Sequence, residues 1–182
     1  MAIDKNSPNA SLIEPMPVEL LDEPLEFIFA DHFRQRFVCS LIRQIAEGRE
    51  VSQSEATEMG YFLVHDLPLH HADEEEDLFP ALIKSARPED NIKQTIARLN
   101  DDHIIGSAET SRVRNLLSEF ALGTANRSKS ALRTLKLYAQ SENKHLAIEN
   151  SVVLPIARVR LSKRQLQPMS NSMKSRRNMA AS

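Results

Sequence analysis

Residues 92–120 read IKQTIARLNDDHIIGSAETSRVRNLLSEF, and the choice of fold turns on this stretch. Ile92, Ile96, Leu99, His103, Gly106, Thr110, Val113, Leu117 and Phe120 recur at alternating steps of four and three, which places them on one stripe of an α-helix. So long and unbroken an alternation is the seam of a helical bundle. One position in the seam is a histidine.

Three more segments carry the same signature. From Pro24 to Glu47, Leu25, Phe29, His32, Cys39 and Ile42 fall near one face, with Asp22 as the expected N-cap and Gly48 as the stop. The capping box Ser52-x-x-Glu55 opens a second helix that reaches about Ser85, with Met59, Leu63, Leu67, His70, Glu74, Leu78 and Ala81 at steps of three or four. Pro68 is expected to kink it. The quoted helix starts at Pro88-Glu89-Asp90 and stops at Gly123. A fourth runs from Arg127 to Arg160, with Ala131, Leu135, Tyr138, Glu142, His145, Glu149, Val152 and Ile156 in register. Short connections favour antiparallel neighbours, so the fold class is all-α, an up-down-up-down four-helix bundle over residues 22–160. Residues 1–21 form an irregular N-terminal arm. Residues 161–182 form a basic C-terminal tail, either a short helix after Pro168 or an irregular segment.

Composition agrees with this reading. Four glycines in 182 residues and a preponderance of good helix formers suit one all-α domain. The single cysteine, Cys39, leaves no disulfide framework and no cysteine-based zinc or iron–sulfur site within one chain. It reads as a small core residue, with redox sensing the alternative. The start of the chain is not a signal peptide and no run approaches membrane-spanning length, so the expectation is a soluble, cytoplasmic protein with no membrane partner. All 25 acidic residues lie within 1–149, and 7 basic residues fall in 150–182. That basic tail lacks aromatic interleaving, which argues against nucleic acid as a partner and for a solvated or oligomer-contacting segment.

The chemistry lies in the histidines. Each of the four apolar faces is interrupted by one, and His70 and His145 are each followed four residues later by a glutamate, Glu74 and Glu149. Side chains four apart share one side of a helix, so each pair offers a nitrogen and a carboxylate to a common centre. His32 and His103 supply nitrogens from the other two helices. Counted along antiparallel helices, the four levels coincide within roughly 10 Å. Burying two carboxylates among imidazoles without a partner is costly, and metal resolves it. Imidazole and carboxylate without thiolate suit iron, manganese or zinc. Six ligands, His32, His70, Glu74, His103, His145 and Glu149, exceed what one open metal site needs. They fit two metals bridged by both glutamates, with room for a bridging oxo or hydroxo group and a small exogenous ligand. The run HHADEEED also offers His71/Glu75, one residue out of register; His70/Glu74 is preferred because it continues more of the face. His71 and His65 then read as surface or helix-boundary residues, and Asp73, Glu75, Glu76 and Asp77 as a solvated face or an iron-attracting entrance. Asp66 and Glu142 are candidates to orient the ligand imidazoles from behind. Gly106 reads equally as space for a ligand or as close helix packing.

The motifs ADHFRQR around His32, LPLHHADEEEDLFP around His70 and Glu74, LNDDHIIG around His103 and HLAIENSVVLPIA around His145 and Glu149 resemble those of the hemerythrin-like HHE cation-binding family over about residues 22–160. The order of lone histidine and His-x3-Glu pair is closer to the branch that includes di-iron iron–sulfur-cluster repair proteins than to the oxygen carriers. Those carriers have a His-x3-His pair and a final aspartate where this chain has Ser107 and Glu149. The cysteine-containing N-terminal domain of the repair proteins has no counterpart here. The resemblance implies two iron ions and a small ligand such as oxygen, nitric oxide or peroxide. Two functions follow from it: binding or sensing a diatomic ligand, or acting as a di-iron redox enzyme or repair factor. Whether the protein is an enzyme stays open at this level.

Overall fold

The computed structural model describes residues 11–179, and every described element is helical. Four long helices make the body: α1 (Pro24–Ala46), α2 (residues 53–85), α3 (Ile92–Ala121) and α4 (residues 129–160). A fifth, α5 (Lys163–Arg176), follows. Helix α1 packs chiefly on α4, and α2 on α3, so the chain alternates direction around one core.

The termini of these helices follow local chemistry. Ser52 accepts from the Glu55 amide at 3.1 Å while Glu55 accepts from the Ser52 amide at 2.8 Å, closing the expected capping box. Gly48 and Gly123 stop α1 and α3 with φ of 107° and 70°, a region costly for other residues. Three expected boundaries move. Asp22 does not cap α1; its carboxylate receives the Lys174 ammonium at 2.6 Å instead. Pro88–Asp90 is a separate 3-10 turn, and left-handed Asn91 redirects the chain before α3 begins at Ile92. Ser128, not Arg127, opens α4, while Arg127 turns back to donate to the carbonyls of Ile45 and Arg49 at the end of α1.

Prolines shape α2 and α4 in an unexpected way. Pro68, Pro80 and Pro155 each follow a π-helical segment, Phe62–Asp66, Asp73–Leu78 and Glu149–Val153. The residue before each proline donates its amide five residues back, to the carbonyls of Phe62, Glu74 and Glu149. A proline ring crowds the carbonyl four residues earlier and supplies no N–H, and the wider turn accommodates both defects. Pro68 therefore swells the helix without ending it.

Helix α5 corrects the reading of the tail. It begins at the Ser162 cap, six residues before Pro168, and carries that proline inside it. Its Met169, Met173 and Lys174 are buried against the bundle, so this part of the tail is neither solvated nor free. The described part of the arm, from Ser11, also packs: Ile13 and Leu21 are buried, and the Leu12 amide donates to Glu58 at 2.6 Å. The rest of the arm and of the tail, residues 1–10 and 180–182, lies outside the described residues.

The buried apolar residues form two clusters. One gathers Val38, Cys39, Met59, Leu63, Leu67, Val113 and Tyr138; the other gathers Ile28, Leu78, Leu99, Val153 and Leu154. Between them lies a layer of polar side chains.

Candidate metal centre

That layer consists of His32, His70, Glu74, His103, His145 and Glu149, all buried, from no exposure at His32 and both glutamates to 8% at His145. Two sets of ligand atoms converge within it: His32, His70, Glu74 and Glu149, and Glu74, His103, His145 and Glu149, each within 4.8 Å of one another. Both glutamates belong to both sets. The structure thus brings together all six residues that the spacing singled out, and it takes His70/Glu74 rather than His71/Glu75 into the centre.

The four imidazoles share one orientation. Nε2 of His32 lies 3.6 Å from Glu74 and 3.5 Å from Glu149, Nε2 of His70 3.4 Å from Glu74, Nε2 of His103 3.6 Å from Glu74, and Nε2 of His145 2.9 Å from Glu149. Every Nδ1 faces away. His32 meets Asn150 at 2.8 Å, His70 meets Asp31 at 3.2 Å, His103 meets Glu75 at 2.7 Å and His145 meets Asp102 at 3.6 Å. At His32 and His103 the acceptor is within hydrogen-bond distance of Nδ1, which places the proton there and leaves the Nε2 lone pair facing inward.

The interior of the layer is therefore short of positive charge. Both carboxylate oxygens of Glu74 and of Glu149, and Nε2 of His32, are buried without a hydrogen-bond partner. Nε2 of His103 and of His145 face one another at 2.9 Å. Nitrogens and carboxylate oxygens packed this closely need a metal ion or protons between them. Without metal only protons can serve: burial resists protonation of His145, but Glu149, Glu74 and Glu142 outweigh it and lift the imidazole to about 9. Burial likewise opposes protonation of His70, and Glu74 and Asp31 hold it well above its ordinary range. The donor set of four imidazoles and two carboxylates, with no thiolate, fits a hard or borderline metal ion.

The outer ring corrects several expectations. Asp66 does not touch His70; it accepts from Arg34 at 2.6 Å, and Arg34 also grips Asp31 at 2.8 Å, so Asp31 is the carboxylate behind His70. Glu142 makes no hydrogen bond to His145, whose Nδ1 faces Asp102; burial pushes the Glu142 carboxyl up to about 7. His71 is half-buried and stacks on His103 with ring centroids 4.0 Å apart, whereas His65 is exposed against Tyr61. The acidic run is not simply solvated. Asp73 is fully buried between Arg176 and Arg177, and Glu75 serves His103.

Sequence reasoning missed Asp31, Asp102, Asn150 and the π turns. One signal was present: His70-x3-Glu74-x5-Pro80 and His145-x3-Glu149-x5-Pro155 are the same motif twice, and each proline sets the π turn that begins at or beside its glutamate. Asp31, adjacent to His32 in sequence yet paired with His70 across the helix interface, gave no such sign.

Comparison with known proteins fits this geometry. A protein of Haemophilus influenzae described only as uncharacterized is 25% identical over 173 residues, covering 91% of this chain and 96% of its own length. The family model for the hemerythrin HHE cation-binding domain matches residues 23–157, the span that contains all six clustered residues. Among the described residues no helix is long and apolar enough to cross a membrane. With its paired His/Glu clusters, this metal-binding chain belongs to the hemerythrin HHE cation-binding domain family.

Proposed function

We propose that the protein holds two iron ions, one by His32 and His70 and the other by His103 and His145, with Glu74 and Glu149 shared between them. We further propose that the pair binds a small ligand, oxygen or nitric oxide, to sense or buffer it. The observation that carries this reading is that both fully buried glutamates belong to both ligand sets. A single metal would leave half of the inward nitrogens unmatched. Two irons so held supply reversible redox and ligand-binding chemistry at a centre shielded by the two apolar clusters. The chain's own contribution is to orient His32 and His103 through hydrogen bonds to Asn150 and Glu75, to set the Asp31 and Asp102 carboxylates behind His70 and His145, and to exclude bulk water from the layer. The alternative, a redox enzyme or repair factor acting on peroxide, nitric oxide or damaged iron–sulfur clusters, uses the same centre.

Protein purified with iron is expected to hold two irons per chain and to show near-ultraviolet absorption from an oxo-bridged ferric pair; iron at background would sink the reading. Mixing the reduced protein anaerobically with oxygen, nitric oxide or peroxide then separates the two functions. A reversible adduct supports binding, and many turnovers support an enzyme.

Metal uptake is also expected to depend on pH. A histidine lifted from its ordinary 6.5 to about 9 stabilises the metal-free fold fully below pH 6.5 and loses that contribution as pH rises through 9. Metal must displace the same protons, so its apparent affinity should rise by about tenfold per pH unit for each proton displaced. A titration of the metal-free protein with zinc as a redox-inert probe, between pH 6 and 9, checks this. Flat affinity would show that protons do not occupy the centre.

A further inference from the structure

The centre is flanked by two layers of unlike chemistry. One turn away on one side, four residues before His32 and His103 and four after Glu74 and Glu149, stand Ile28, Leu99, Leu78 and Val153. All four are fully buried and aliphatic. On the other side, three residues after His32 and His103 and three before His70 and His145, stand Gln35, Gly106, Leu67 and Glu142. The first layer closes the centre. The second contains an amide, a carboxyl and a glycine.

Two features of that second layer have no structural explanation within the fold. Gln35, one turn from His32 on α1, is 4% exposed, and its Nε2 is buried with no hydrogen-bond partner. Gly106 lies in the middle of α3, where glycine weakens a helix, yet a Cβ there would meet only Glu142 Oε1, at 3.9 Å. Ordinary contact at that distance removes close helix packing as the reason for the glycine. The space it leaves is not needed by any neighbour.

We propose that the small ligand binds on the Gln35 side of the centre, in the space left by Gly106, and that Gln35 recognises it by donating an amide N–H to its outer atom. This rests on the reading of the centre as a two-iron, ligand-binding site and adds the side of approach and the residue that sets ligand preference. The class of ligand it selects is one whose outer atom accepts a hydrogen bond, such as azide, oxygen or nitric oxide. A ligand with an inert outer atom gains nothing from Gln35.

The test uses the full-length, iron-loaded protein with azide on the oxidised form and nitric oxide on the reduced form. Gln35→Met keeps length and burial and removes the donor. It should hold wild-type iron, weaken azide binding by about tenfold, as expected for one hydrogen bond to a charged ligand, and abolish the shift of the azide infrared band between water and deuterium oxide. Gly106→Val should keep the iron and exclude azide and nitric oxide. Leu99→Met, a volume-conserving change in the opposite layer, should leave affinity and band position as in the wild type. An unchanged affinity and band in Gln35→Met, or an effect confined to Leu99→Met, would overturn the proposal while leaving the two-iron reading intact. Wild-type protein that holds no iron, or binds neither probe, overturns the underlying reading instead. Should Gln35→Met fail to fold, the Gly106→Val and Leu99→Met pair decides the side on its own.

Discussion

Glu74→Ala is expected to lose both metals, whereas His70→Ala should lose one and His71→Ala neither. Glu74 meets more of the centre than any other side chain in it: three of the four imidazoles lie 3.4–3.6 Å from its oxygens, and it stands in both ligand sets. Its position is fixed twice, by the i, i+4 relation to His70 and by the π turn that starts with its neighbour Asp73 and ends before Pro80. Its neighbours in sequence are not placed to substitute, because Glu75 points outward to His103 Nδ1 and Asp73 is held by two arginines. His70 serves only the first set, so its removal should leave the His103/His145 position able to retain metal. His71 stacks on His103 and contributes no atom to either set. Metal content per chain after loading and desalting distinguishes the three variants. Retention of both metals by Glu74→Ala, or loss on His71→Ala alone, would move the bridge to the neighbouring register.

Much of this was legible in the sequence, for a physical reason: a helix converts spacing directly into direction. The alternation from Ile92 to Phe120 places His103 among seam residues, and His70 with Glu74 share a side because they are four apart. Whatever depends on one helix alone, including both His-x3-Glu pairs and the Ser52 cap, is readable in this way. Contacts between helices are not. Asp31 serves His70 from across an interface while Asp66, the better placed by spacing, is drawn off by Arg34. The role of α5 was hidden for the same reason. Nothing near Arg176 announces that it meets Asp73, 103 residues away in sequence.

The double variant Arg176→Ala/Arg177→Ala is expected to destabilise the protein more than any single change at the acidic run. Asp73 is fully buried, and its two oxygens are held by Arg176 at 2.8 Å and by Arg177 at 3.1 and 2.7 Å. Even with both arginines in place, burial leaves its carboxyl above the ordinary range, so desolvation is the dominant influence on this group. Removing both partners strands a charge in the core, which costs about 3–5 kcal/mol. In a domain of this size that lowers Tm by about 6–20 °C. The reverse deletion should be milder. In Asp73→Ala the arginines remain 15–17% exposed at their side chains, and Arg176 keeps Glu76 and Asp77 at 2.9 and 2.6 Å. The triple variant should then be about as stable as Asp73→Ala alone, because the group that made the arginines necessary is gone. Equal losses for the two deletions, or a triple variant worse than both, would mean that α5 is held by its apolar contacts and that the ion pairs add little. A chelator challenge completes the test. Asp73 opens the π turn that carries Glu74, so the double arginine variant should release its metal faster than wild type at a temperature where both are folded, and a variant that loses stability without faster release would uncouple α5 from the centre.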